Sequence, residues 1–213
     1  MSMPLSKIDQ LIVGIDSILR GFTNNIKGTA RANPASTIPS PDLTTAERRH
    51  SAGLMRVNYT GEVAAQALYL GQALVARNDV NRQNLMHAAK EEEDHLLWCG
   101  QRLNDLQARP SYLNPLWFIG SLAIGVTAGL VNDAYSLGFV VETERQVEAH
   151  LASHLQQLPV TDVASQAILE QMRLDEQQHG NNALLQGAQE LPDVVKLMMR
   201  VPAKIMTSVA YYF

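Results

Sequence analysis

The chain predicts an all-α fold built from two helical hairpins, and three observations carry this. Apolar residues recur at helical spacing along most of the 213 residues. Hardly any stretch alternates apolar with polar residues, and aromatics make up only 6%, which is poor material for strands. Turn-forming residues fall at two short breaks and one long one. Four long helices follow, over roughly 44–77, 80–107, 132–157 and 162–188. Thr44-Thr45-Ala46-Glu47 reads as a capping box that opens the first. Asn78-Asp79 separates the first pair, and Pro159 with Thr161-Asp162 the second. Between the pairs, residues 108–131 begin with Pro110 and Pro115 and then become strongly apolar. Short loops within pairs and a long connection between them are the connectivity of a ferritin-like four-helix bundle with a long apolar crossover.

Extra amphipathic helices are expected at both ends. Leu5, Ile8, Leu11, Ile12, Ile15, Ile18, Leu19 and Phe22 mark one face of the first. A linker from about Gly28 to Leu43 follows, with Pro34, Pro39 and Pro41. Residues 1–43 are therefore an N-terminal helix and linker, and 44–213 the bundle with its apolar appendages. Asp9, Gln10 and Asp16 interrupt the N-terminal apolar stretch, so it does not read as a secretory signal, and a cytoplasmic-side location is expected.

Composition excludes several classes. A net charge of -4 and a pI near 5.8 lack the basic footprint of a nucleic-acid binder. The single cysteine, Cys99, rules out a disulfide framework and cysteine-based metal sites.

Two helices contain Glu-x-x-His, at Glu92–His95 and Glu176–His179. Residues three apart on a helix share a face, so each pair can grip one metal ion. A lone match means little, and a third, Glu47–His50, is read as helix-start chemistry because Glu47 completes the capping box. A repeat singles out the other two. Glu62 lies 30 residues before Glu92, and Glu144 lies 32 before Glu176. Each half thus reads Glu, one hairpin, then Glu-x-x-His, the ligand set of di-iron bundles.

Phase supports the same six residues. Leu85, Leu96, Cys99 and Leu103 share the seam of Glu92 and His95, while Ile168, Met172 and Ala183 share that of Glu176 and His179. Glu91 and Glu93 are expected on a solvated face, and Glu142 off the seam. Glu148 is a nearer rival to Glu144, one turn away. Asp94 and Asp175 are read as surface residues, with a role behind the imidazoles as the alternative. Four inward carboxylates with few inward cations would be costly. Two divalent ions balance them, and oxygen-rich ligation with two imidazoles suits iron or manganese. Replacing Glu176 by Ala is expected to abolish iron binding at one site and to relieve repulsion in the metal-free fold.

The run Arg56-Val57-Asn58-Tyr59-Thr60-Gly61-Glu62, then Glu91-Glu92-Glu93-Asp94-His95-Leu96, Arg109-Pro110, Pro115-Leu116-Trp117, Val141-Glu142-Thr143-Glu144 and Asp175-Glu176-Gln177-Gln178-His179-Gly180 resemble the demethoxyubiquinone hydroxylase family, over about residues 45–213. The family often has His where this chain has Tyr59, and Glu where it has Arg145. The resemblance implies an O2-dependent hydroxylation of a polyprenyl benzoquinol ring late in ubiquinone biosynthesis. It implies two iron ions held by Glu62, Glu92, His95, Glu144, Glu176 and His179, with His150 near the quinone. No flavin or nicotinamide fingerprint is present, so electrons come from outside, with transient NADH contact as one source. Other ubiquinone-biosynthesis proteins and a second copy of the chain are the expected protein partners.

Residues 115–131 and 201–213 are unusually apolar, and Tyr211, Tyr212 and Phe213 suit a lipid interface. Both segments are expected to dip into one leaflet of the cell membrane from the cytoplasmic side, making the protein peripheral. Packing on each other or on a second subunit is the alternative. Rival functions are iron storage or ferroxidase activity, another di-metal oxidase such as a quinol oxidase, and a non-enzymatic membrane bundle.

Overall fold

The computed structural model describes residues 6, 8, 9, 12, 15, 16, 28–39 and 42–213. Among these, six long helices run in order: α1 (Thr45–Val75), α2 (Asp79–Asp105), α3 (Asn114–Val131), α4 (Asp133–Gln157), α5 (Val163–Leu185) and α6 (Asp193–Ala210). None of the described residues is in a strand. Of the N-terminal amphipathic helix, Ile8, Asp9, Ile12, Ile15 and Asp16 are helical, with Ile8 and Ile12 exposed. Leu5, Leu11, Ile18, Leu19 and Phe22 lie outside the described residues, as does Pro41 of the linker.

Local chemistry sets the helix starts. The Glu47 carboxylate accepts from the Thr44 N–H at 2.9 Å, and the Thr44 hydroxyl accepts from the Glu47 N–H at 3.3 Å, so the expected capping box forms. Asn78 caps α2 by accepting from Val80 N–H, Asn132 caps α4 by accepting from Tyr135 N–H, and Asp162 caps α5 by accepting from Ser165 N–H. Asp162 also accepts from Arg102 Nη2 at 2.7 Å, which ties the α5 start to the α2 end inside the core.

The hairpins α1–α2 and α4–α5 pack into a four-helix bundle, closed by α1 against α4 and α2 against α5. Fully buried Met55, Tyr69, Cys99, Leu103, Ile168, Leu169 and Met172 fill its interior. The crossover helix α3 lies along α1. Glycine makes this approach: a Cβ at Gly71 would strike the Leu122 carbonyl oxygen, and one at Gly125 that of Leu68. The far side of α3 leaves Leu116, Ile119, Ile124, Leu130 and Val131 exposed. Among the described helices, α3 alone is long and apolar enough to cross a membrane by length and composition.

Helix α6 packs on α1 and α4 and exposes Val194, Leu197, Met198, Val201 and Ile205. Tyr211, expected at a lipid interface, is half-buried against α1. Its hydroxyl lies 2.7 Å from His50 Nδ1, and its ring covers Gly53. Arg56 donates to the Tyr211 carbonyl at 2.7 Å, while Tyr212 and Phe213 remain exposed.

Candidate metal centre

The repeat places one glutamate and one Glu-x-x-His from each hairpin at the bundle axis. All six side chains are buried. Ligand atoms of Glu62, Glu92, His95 and Glu176 lie within 4.8 Å of one another, and so do those of Glu92, Glu144, Glu176 and His179. Glu92 and Glu176 belong to both sets, and their oxygens divide accordingly. Glu92 turns Oε2 to His95 Nδ1 at 2.8 Å and Oε1 to His179 Nδ1 at 3.4 Å. Glu176 turns Oε1 to His95 Nδ1 at 3.2 Å and Oε2 to His179 Nδ1 at 3.1 Å. Glu62 stands only on the His95 side, 3.6 Å from its Nδ1, and Glu144 only on the His179 side. Two carboxylates are thus common to both sets and two belong to one set each, with one imidazole per set.

The donor chemistry fits a pair of divalent cations. Oε1 of Glu92, Oε1 of Glu176 and both oxygens of Glu144 are buried without a well-formed hydrogen bond. Buried carboxylates without donors are costly, and a cation would satisfy them. Burial pushes Glu62 and Glu144 well above the ordinary carboxylate range, reinforced by the negative charges of their neighbours. Burial opposes ionisation of Glu176 too, but the two imidazoles overcome it and its pKa falls. For both histidines burial disfavours the cation, yet the surrounding carboxylates win and the pKa of each rises.

Each imidazole is held from behind by the acid that precedes the opposite motif. His95 Nε2 lies 3.0 Å from Asp175 Oδ2, and His179 Nε2 lies 3.0 Å from Glu91 Oε2. This turns Nδ1 of both rings toward the carboxylate cluster, where it could bind a metal ion. Neither Asp175 nor Glu91 is the solvated residue the sequence suggested. The signal was present: both motifs read acid-Glu-x-x-His. Asp94, also expected at the surface, is fully buried but contacts no imidazole; it accepts from Thr29 N–H at 2.8 Å and from the Thr29 hydroxyl. Glu93 is buried as well, paired with Lys90. Glu142 is buried away from the cluster, 3.8 Å from Arg200 of α6. Glu148 pairs with Arg173 at 3.4 Å and belongs to neither ligand set.

His150 lies outside the two sets. Its ring meets His154 at 3.8 Å between centroids, and its Nε2 is buried without a partner. Burial lowers its pKa to about 4, so it is neutral at physiological pH. A cleft of about 110 Å³, lined in part by Tyr69, Leu85, His87, Leu137 and Val140, reaches His179.

Comparison with known proteins follows the same line. The family described as "Ubiquinone biosynthesis protein COQ7" matches residues 49–210. This chain belongs to that family. The 3-demethoxyubiquinol 3-hydroxylase of Janthinobacterium sp. (strain Marseille) is 53% identical over 204 residues, covering 96% of this chain and 98% of that one. The same-named proteins of Xanthomonas campestris pv. campestris (strain 8004) and Dechloromonas aromatica (strain RCB) are each 51% identical, covering 98% and 96% of this chain and 95% and 99% of theirs. The ferritin-like all-α fold expected from the sequence agrees with this membership and with the observed helices.

Proposed function

We propose that the chain is a di-iron monooxygenase that hydroxylates the ring of a demethoxy polyprenyl benzoquinol with O2. The observation that carries this is the pair of buried sets sharing Glu92 and Glu176, in a chain half identical to 3-demethoxyubiquinol 3-hydroxylases. One position would be held by Glu62, Glu92, His95 and Glu176, the other by Glu92, Glu144, Glu176 and His179. Four carboxylates would balance two Fe(II) ions, and such a pair would supply two of the four electrons that take O2 to one water and one ring hydroxyl, the substrate ring supplying the other two and the external donor restoring the pair. The protein's part is to bury the site, fix both imidazoles through Asp175 and Glu91, and leave a cleft reaching His179 for small molecules. His150, neutral and with a free buried nitrogen, is suited to bond a quinol oxygen. Electrons would come from an external donor, NADH among the options.

The catalytic unit is residues 44–213, preceded by the 1–43 segment. The exposed apolar faces of α3 and α6 support peripheral docking on the cytoplasmic face of the cell membrane, where a polyprenyl substrate resides. Other ubiquinone-biosynthesis proteins, or a second copy of the chain, would compete for the same faces.

The test is iron content per chain together with product analysis. Purified, iron-supplied protein should hold about two equivalents and convert a demethoxy quinol in the presence of O2 and reductant. Fewer than one equivalent, or iron without hydroxylated product, refutes the reading; the second result would favour ferroxidase or oxidase chemistry. Flotation with liposomes checks the docking surface, and a chain that ignores lipid contradicts it.

A further inference from the structure

Residues 28–39 precede the part of the chain matched by the family, yet they reach the metal centre. Their contacts concentrate on two acids beside the ligands. Thr29 donates from its backbone and its hydroxyl to Asp94. Gly28, at φ 51°, lies so close that a Cβ there would strike the Asp94 carboxylate. Arg31 Nη2 donates to Asp175 Oδ2 at 2.7 Å. The same guanidinium sits over the Trp98 ring, 5.0 Å from its centroid. Asn33 Nδ2 donates to Gln101 Oε1 at 2.6 Å.

Both groups that Arg31 touches also touch His95. Asp175 Oδ2 is bonded to His95 Nε2, and the buried Trp98 ring lies 5.3 Å from the His95 ring between centroids. Gln171 donates to the other Asp175 oxygen at 2.9 Å, so Arg31 and Gln171 together fix both oxygens of that carboxylate. The corresponding acid on the other side has a weaker hold: besides His179, Glu91 pairs with His87, whose side chain is 71% exposed.

We propose that Arg31 is a positioning residue for the metal position formed by Glu62, Glu92, His95 and Glu176. It clamps Asp175 and Trp98 on two sides of the His95 ring, and so makes the two metal positions unequal. This rests on the metal-binding reading above. A carboxylate held at one oxygen can turn about its terminal bond, and the imidazole it orients turns with it; partners behind metal-bound histidines typically matter by about 10–100-fold in affinity. Arginine suits this place because its planar fork bonds a carboxylate and stacks on an indole at once.

The experiment is a stepwise Co(II) titration of metal-free, full-length protein, read by the visible absorption of each bound ion. Wild type should show two binding steps. Arg31→Ala should weaken one step by about 10-fold and leave the other unchanged, whereas Glu91→Gln should weaken the other. Arg31→Ala combined with Asp175→Asn should bind no more weakly than Asp175→Asn alone, because the two act in series. Arg31→Lys keeps the charge but not the fork. It should fall between wild type and Arg31→Ala, and it carries the test should the alanine variant not fold. A strap that only stabilises the fold would lower the melting temperature while changing both steps equally or neither, and either pattern overturns the proposal. Wild type that fails to bind two ions would instead sink the metal-binding reading itself.

Discussion

Glu91 Oε2 lies 3.0 Å from Nε2 of His179, on the helix facing its own. Asp175 does the same for His95 in the opposite direction, so each Glu-x-x-His helix orients the imidazole of the other. The crossing ties α2 to α5 at the level of the carboxylate cluster. Glu91→Ala removes the acceptor behind His179 and should weaken metal at the Glu92, Glu144, Glu176 and His179 position by about 10–100-fold. Dialysis against a graded chelator, followed by iron analysis, checks it: one ion should leave early and the second persist. Retention of both ions would show that the His179 ring needs no such support.

The core and the clustering of the six Glu and His side chains were legible because both depend on periodicity. Seam residues such as Leu103, Ile168 and Met172 recur at helical spacing, and the Glu62–Glu92 and Glu144–Glu176 repeat survives translation into space as two buried sets. The partners of the imidazoles were less visible. Glu91 sits between a buried helix seam and solvent, and only the approach of α5 decides which it serves. Thr29 and Arg31 lie in irregular chain, where no period says what they touch; their partners Asp94 and Asp175 are 65 and 144 residues away. The contact of Tyr211 is hidden for the same reason, since its partner His50 lies 161 residues earlier.

Metal binding should weaken as pH falls. In the metal-free centre the carboxyls of Glu62 and Glu144 sit above the ordinary carboxylate range through burial. The imidazoles of His95 and His179, surrounded by carboxylates, hold protons above the ordinary histidine value despite burial. A bound cation needs all four groups deprotonated, so binding releases protons. The window opens above the ordinary histidine value of about 6.5, because the raised imidazoles release their protons only there. Titration with Mn(II) in weakly buffered solution should acidify the medium, and affinity should rise steadily across neutral pH. Binding without proton release would contradict the raised carboxyls and imidazoles on which this prediction rests.

Removing different carboxylates should have opposite effects on the metal-free fold. Glu144 is raised in the folded state, so the stability it contributes is present below its unfolded pKa and is lost as pH rises through the folded value. Glu144→Gln should therefore stabilise the metal-free protein at neutral pH, with each kcal/mol worth about 2–4 °C in melting temperature. Glu176 is lowered, and its stability is present above its unfolded pKa and lost on acidification. Glu176→Ala strips counter-charge from both His95 and His179 and should destabilise. At Glu176 the relief of repulsion that the sequence suggested is opposed by this loss of counter-charge, whereas Glu144→Gln relieves repulsion without stripping both imidazoles. Calorimetry of both metal-free variants at neutral pH decides it, and equal melting temperatures would refute the distinction.

The glycines between α1 and α3 make the last prediction. A Cβ at Gly125 would meet the Leu68 carbonyl oxygen, and backbone cannot rotate away as a side chain can. Gly125→Ala must push the two helices apart, and overpacking of this kind costs about 1–3 kcal/mol. Leu68 lies on the same helix as Glu62, so the displacement also reaches a proposed ligand. Melting temperature should fall by several degrees, and metal affinity on the Glu62 side should fall with it. Gly120 supplies the control: it is on the same helix, exposed, with open space where a Cβ would go. Gly120→Ala should be neutral or mildly stabilising, since alanine is the better helix former by roughly 1 kcal/mol. If Gly125→Ala were as stable as Gly120→Ala, α3 would not press on α1 as described. Its glycines would then need another reason, and a crossover helix free of the bundle would be the first candidate.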